Sequence, residues 1–268
     1  MKNYKAVPLF FIFFFISLSP VLCQYEFIGQ MNLNKSSAKV DPLGNIYSFD
    51  DHEIIKYSEM GESPMSFSST AFGSIYDIDV SNPLRILVFF KDFQQILFLD
   101  QSLSPIGQTI SLTDLDLNQV SEACSSPQNG FWVYSGSAYQ LIHVNQNLSK
   151  DFTSLRFDRF VNEPWNLLSM EEENGMVFLG FKKNDMLVMD RYANFLEKIH
   201  FDSLRAFQAL PKRLCVLSER EMVFHDLQTG ERTSTALPMI SQIEYFYWLN
   251  NDLYLYSDNT VKIYKASK

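Results

Sequence analysis

One phrase recurs six times along this chain: a hydrophobic strand, a short polar turn and a second hydrophobic strand, often closed by Asp or Asn. The copies run Ile46–Phe49 into Ile54–Tyr57, Ile86–Phe89 into Ile96–Asp100, and Phe131–Tyr134 into Leu141–Asn145. They continue with Val177–Gly180 into Leu187–Asp190, Leu214–Leu217 into Met222–Asp226, and Leu253–Tyr256 into Val261–Tyr264. Measured between the turns at Asp51, Asp92, Ser137, Asn184, Arg220 and Asn259, the intervals are 41, 45, 47, 36 and 39 residues. A repeat of about 40 residues built from strands marks a ring of blades, because one such unit cannot bury its apolar faces without its neighbours.

The spacing predicts an all-β fold: a six-bladed β-propeller of four-stranded antiparallel blades. The expected blades cover 38–68, 74–112, 117–155, 163–201 and 204–237, with a last one starting at 242. That last blade reaches Lys268 after three strands. The alternating segment Tyr25–Leu33 supplies the fourth, so an N-terminal strand pairing in the last blade is expected to close the ring and cover two open edges. Pro, Gly and Asn recur too often for helices longer than a turn or two. Turn signals at 42–45, 81–83, 126–130 and 173–175 precede the second strand of their blades.

Residues 1–23 read differently. Lys2 and Lys5 open a basic start, Ala6–Ser17 is apolar and rich in Phe, and Ser19-Pro20-Val21-Leu22-Cys23 follows. This is the pattern of a secretory signal peptide, too short in its apolar run for a membrane span of about 20 residues. Cleavage after Cys23 leaves residues 24–268 as one propeller domain. Lipidation of Cys23 fits less well, since bacterial lipoprotein signals favour Leu and a small residue where Pro20 and Leu22 stand. The net charge of −9 becomes more negative when the two leader lysines go, which argues against nucleic acid. Cys124 and Cys215 fall in blades three and five, with no CxxC pair and no disulfide framework.

Compact catalytic signatures are missing: no G-x-S-x-G elbow, Walker loop, dinucleotide fingerprint or HExxH pair is present. Asp114, Asp116 and Asn118 have the spacing of the first EF-hand ligands, but Gln119 and Ser125 occupy the places that require Gly and Glu. His52, His143, His200 and His225 are scattered over different blades, and Glu171-Glu172-Glu173 reads as a solvated turn between strands. No cofactor or metal is expected.

One loop departs from the polar norm. Between blades three and four runs Leu155-Arg156-Phe157-Asp158-Arg159-Phe160-Val161-Asn162-Glu163-Pro164-Trp165. Arg and aromatic side chains dominate binding hot spots because they desolvate large areas at small entropic cost. Arg156, Phe157, Arg159, Phe160 and Trp165 are therefore candidate contacts, joined by Phe90 and Phe93 on a turn expected at the same face. The same aromatics also suit a plug at the blade interface, with the arginines paired to acids. Both readings stand at this point.

The segment Asp226-Leu227-Gln228-Thr229-Gly230-Glu231 resembles the strand-end phrase of quinoprotein-type propeller repeats, and Asp100 and Asp190 stand at matching places without the Thr-Gly. The Trp that locks blades in that family is absent, and nothing implies a quinone. The Phe-rich leader ending in Cys-Gln and the Tyr- and Phe-rich blades make the chain similar to small exported propellers of bacteria with type 9 secretion. More distantly it is similar to outer-membrane assembly propellers. That resemblance implies a non-enzymatic scaffold in the periplasm or at the outer-membrane periphery, bound to another envelope protein such as a translocon or assembly component. Two other classes remain. An enzyme or small-ligand binder of the lactonase-like or glycan-active kind would use acids near the axis, of which Asp77, Asp79 and Glu122 are candidates. A secreted eukaryotic protein would use the sequons Asn34-Lys35-Ser36 and Asn147-Leu148-Ser149.

Overall fold

A computed structural model describes residues 25–58, 64–219, 221–238 and 242–266; the expected signal peptide and Cys23 lie outside them. The described chain forms six four-stranded antiparallel sheets in a ring. The first strand, β1 (Tyr25–Asn32), belongs to the last sheet. Blade one contains β2 (Ser37–Val40), β3 (Ile46–Phe49), β4 (Glu53–Tyr57) and β5 (Met65–Ser68); blade two contains β6 (Asp77–Asp79), β7 (Ile86–Phe90), β8 (Gln95–Leu99) and β9 (Ile110–Ser111). Blade three is β10 (Val120–Ser125), β11 (Phe131–Ser135), β12 (Gln140–Val144) and β13 (Lys150–Thr153). Blade four is β14 (Leu167–Glu173), β15 (Met176–Phe181), β16 (Asp185–Asp190) and β17 (Phe195–His200). Blade five follows as β18 (Ala206–Leu210), β19 (Arg213–Leu217), β20 (Glu221–Asp226) and β21 (Arg232–Ala236), and β22 (Tyr245–Leu249), β23 (Asp252–Ser257) and β24 (Thr260–Ala266) begin blade six. Helical structure among the described residues amounts to three single 3-10 turns.

Burial explains the recurring phrase. The second strand of each blade is sandwiched between neighbouring blades and is almost wholly buried, as is the third strand of blades two and four. All five residues of β7 and all five of β11 are buried, a continuous run rather than the alternation of a half-exposed strand. Outer strands β17 and β21 are mostly exposed. The core is accordingly divided into layers between blades. Trp132 and Tyr134 of blade three, for example, pack with Val177, Leu179, Leu187 and Met189 of blade four. Burying a Leu- or Phe-sized side chain contributes about 1.5–3 kcal/mol, so these layers carry most of the stabilisation.

The strand-end acids have a local purpose. Asp100 Oδ1 accepts from the amides of Ser102 and Ser104, and Asp190 Oδ1 from those of Tyr192 and Asn194. Asn145 does the same for Asn147 and Ser149, and Asp226 for Gln228 and Thr229. Each side chain satisfies backbone donors in a turn whose later residue is left-handed: Leu103, Leu148, Ala193 and Gly230 all have positive φ. The turn recurs at Asp41, whose Oδ1 accepts from the Leu43 and Asn45 amides, and glycine takes the left-handed place there (Gly44) as in Asp226-Leu-Gln-Thr-Gly.

Ring closure follows the expected scheme. β1 pairs antiparallel with β24, from Tyr25 opposite Ala266 to Asn32 opposite Thr260, with one irregularity between Phe27 and Gly29. The order β1-β24-β23-β22 makes the N-terminal strand the outermost of blade six. Cys124 and Cys215 are buried and free; burial pushes the Cys215 thiol up to about 12.

Candidate functional site

Antiparallel blades give the ring two faces. One carries the turns between second and third strands together with the blade-to-blade connections, and it is called the connector face below. The 155–165 loop and the Lys91–Gln94 turn both lie on it, as expected from their places in the repeat.

The structure divides the proposed contact residues. Phe157 is fully buried. It packs against Tyr134, Phe160 and Phe181 and so plugs the seam between blades three and four. Phe90 is also fully buried, beside Phe72 in the layer between blades one and two. These two expectations are corrected. Phe90 ends the fully buried strand β7, and Phe157 opens a 3-10 turn as its one buried residue, so a partner on the surface reaches neither. Phe160 is half-buried and stacks at 4.3 Å on Phe195.

The remaining candidates are displayed. Trp165 is 57% exposed and Phe93 58%. Arg156 and Arg159 are exposed. Arg156 forms a forked pair with Asp158 at 2.7–3.1 Å and lies 5.5 Å over the Tyr139 ring; Tyr139 stands 6.2 Å from Trp165. Leu155, missed as a contact, is 58% exposed beside them. The loop is fixed from beneath. Tyr134 Oη donates to the Pro164 carbonyl at 2.6 Å, and Phe157 N donates to Tyr139 O at 2.8 Å. Glu163 accepts from Asn166 and pairs with Lys183. Trp165 and Leu155 are thus held in place before any partner arrives.

A second polar region surrounds the axis. Glu171-Glu172-Glu173 is part of β14, the inner strand of blade four, and the solvated-turn reading is corrected. Inner strands line a channel instead of an apolar layer, so polar residues there are compatible with strand structure. A cavity of about 140 Å³ opens among Lys39, Asp77, Glu122, Glu171, Gln208 and Tyr245. Lys39 pairs with Asp77 at 3.2 Å. Burial raises Glu122 to about 7 and Glu171 to about 8, although Glu171 accepts a 2.8 Å bond from the Ala209 amide that opposes the rise. Among the described residues no three His, Cys, Asp or Glu side chains converge as a metal set. Asp114 lies in the 3-10 turn Thr113–Leu115, left-handed Asp116 follows it, and both are exposed together with Asn118.

These axial groups join one blade to the next. Lys39 reaches Asp77, Tyr76 donates to Glu122 at 2.9 Å, and Asp79 accepts from the Ser125 amide at 2.6 Å. Trp132 donates to Glu172, Glu171 accepts from Ala209, and Gln208 pairs with Trp248. A bond between Tyr245 and the Val40 backbone returns to blade one. The belt was not visible in the sequence because its members share a place in the repeat but not a residue type.

No family model matches the chain, and no curated protein matches it. Solved structures do. BamB from Moraxella catarrhalis aligns over 90% of this chain and 100% of its own, with a TM-score of 0.55 and 10% identity. A chain of the mitotic checkpoint complex aligns over 100% and 99%, with a TM-score of 0.60 and 8% identity. A catalytically inactive virginiamycin B lyase from Staphylococcus aureus, solved with quinupristin, aligns over 85% and 79%, at 0.60 and 7%. The likeness is one of fold. It joins BamB, a chain of the mitotic checkpoint complex and a lyase, so the ring alone assigns no activity.

Proposed function

We propose that this propeller is a protein-binding scaffold that uses its connector face, and that this role needs no catalytic step. The observation that carries the reading is the anchored Arg156–Tyr139–Trp165 cluster with Leu155 at its side. Large amphipathic side chains on a loop already ordered by its own core contacts bind at low conformational cost. Exposed Arg159 and, further round the face, Phe93 extend the surface. The apolar leader and the fold shared with BamB support a finer reading, in which the protein is exported and its partner is an envelope protein of an outer-membrane secretion or assembly complex. None of the helices among the described residues is long and apolar enough to cross a membrane.

The test is affinity capture of the tagged full chain from gently solubilised envelopes of its own host, read by mass spectrometry beside an Arg159→Ala/Trp165→Ala variant. The expected result is a stoichiometric membrane-protein partner that the variant loses. Recovery of the protein alone, or of the same partner with both forms, removes this surface from the reading.

A further inference from the structure

On the face opposite the connectors, a cleft of about 550 Å³ opens between blades three and four. Ser126, immediately after β10, His143 on β12 and Asp151 on β13 meet at its wall. Asp151 Oδ1 lies 2.6 Å from His143 Nδ1, and His143 Nε2 lies 3.1 Å from Ser126 Oγ. A hydroxyl within reach of an imidazole, itself oriented by a carboxylate on its other nitrogen, is the arrangement that activates a serine nucleophile. From these distances we propose that Ser126, His143 and Asp151 form an acyl-transfer site that hydrolyses small carboxylic esters. This goes beyond the scaffold reading and lies on the other side of the ring.

Three features suit the assignment. The imidazole is held firmly: its ring centroid is 4.6 Å from that of Trp132 and 5.8 Å from that of Phe152, and its side chain is 12% exposed. It also needs Gly130, where a Cβ would stand 2.7 Å from His143 Nε2 and 2.8 Å from the Val144 carbonyl. The Ser126 hydroxyl, although it opens a 3-10 turn at Pro127–Asn129, makes no capping bond to that turn, and the residue is part-exposed at the cleft. The cleft has aromatic walls in Phe152 and Tyr192 and one cation, Arg191. Its size lies within the range of small-molecule sites, about 300–1,000 Å³.

Glu172 is the competitor, since it also accepts from Ser126 as well as from Trp132. Burial raises its carboxyl above the usual range. Glu172 is also engaged by the Trp132 indole N–H, and His143 Nε2 offers the serine proton a second acceptor at 3.1 Å.

In the proposed reaction, Ser126 Oγ bonds to the ester carbonyl carbon as its proton passes to His143 Nε2. The Asp151 carboxylate stabilises the resulting imidazolium, and Arg191 lends the cleft positive charge as the oxyanion develops. Collapse breaks the carbonyl–alkoxy bond, and the alcohol departs with the proton from Nε2. Water then adds to the acyl-serine, giving its proton to the same nitrogen. Ser126 leaves with that proton, and a carboxylic acid is released.

The test combines p-nitrophenyl butyrate hydrolysis with labelling by a fluorophosphonate, mapped by peptide mass spectrometry on the full chain. A single adduct on Ser126 of the unaltered protein is expected, with hydrolysis falling at least 100-fold in Ser126→Ala and in His143→Gln. Asp151→Asn, which removes the carboxylate from His143 Nδ1, should slow hydrolysis as well. Absence of an adduct on Ser126 of the unaltered protein overturns the proposal without recourse to any variant. Equal labelling rates in the unaltered protein and in folded His143→Gln overturn it too, because a hydrogen-bond network with only a structural role would leave Ser126 unactivated.

Discussion

The side-chain amide of Gln208 pairs with the backbone of Trp248 as another strand would: Nε2 donates to the carbonyl at 3.1 Å, and Oε1 accepts from the amide at 2.7 Å. Both residues are buried. Gln208 on β18 thereby fastens blade five to blade six. Replacing it with leucine strands two backbone groups, each costing about 1–3 kcal/mol when buried without a partner. Urea unfolding of Gln208→Leu should show a lower midpoint with an unchanged slope; an unchanged midpoint would mean that water or a shifted strand replaces the bonds.

Phe157 and Trp165 belong to one loop and should separate cleanly. Phe157→Ala empties a fully buried site among Tyr134, Phe160 and Phe181, a change that costs about 3–5 kcal/mol. Trp165→Ala, at an exposed site, should shift stability by about 0.5 kcal/mol or less while weakening partner capture. Thermal unfolding of the two variants measures the contrast, and equal losses would show that Trp165 is also structural.

The axial acids set a direction for pH dependence. Burial pushes the Glu171 carboxyl up to about 8 in the folded ring, from an ordinary value of 4.5. Glu122 titrates at about 7. The folded state therefore holds protons that the unfolded chain releases, so their contribution is greatest below about 4.5 and is lost as pH rises through 7 to 8. Chemical denaturation at pH 5, 6, 7 and 8 should show Glu171→Gln losing less stability over that window than the unaltered protein. A variant with the same slope would place the titration elsewhere.

Gly130 offers a more local test. Its φ of −85° is open to any residue, so Gly130→Ala acts through contact alone, against His143 Nε2 and the Val144 carbonyl. A forced shift in a packed region costs about 1–3 kcal/mol. The NMR signals of His143 should move in Gly130→Ala; unchanged signals would show that the strand gives way instead.

Much of the ring was legible in the sequence because the second strand of each blade is buried on both faces, and its apolar run repeats at the blade period. The closing strand was legible for a related reason: three strands at one end and one alternating segment at the other complete a single sheet. The sites were harder to read. Phe90 and Trp165 are both aromatic residues near loops, and only burial tells a core plug from a displayed ring. Glu171 looked like solvent-facing charge because an inner strand beside a polar channel has the composition of a turn. Ser126, His143 and Asp151 belong to three segments of blade three, and no linear spacing announces that the β11–β12 and β12–β13 turns fold them together.

The pairing of β1 with β24 also fixes an order in time. Asn32 and its partner Thr260 are 228 residues apart, so Tyr25–Asn32 is made well before the strand it pairs with. Until then blade six has no outer strand and the first segment has no sheet to join. A pairing so distant in sequence forms slowly, which leaves the growing chain unable to close its ring prematurely. Delayed closure therefore leaves the chain an open row of blades until β24 is in place.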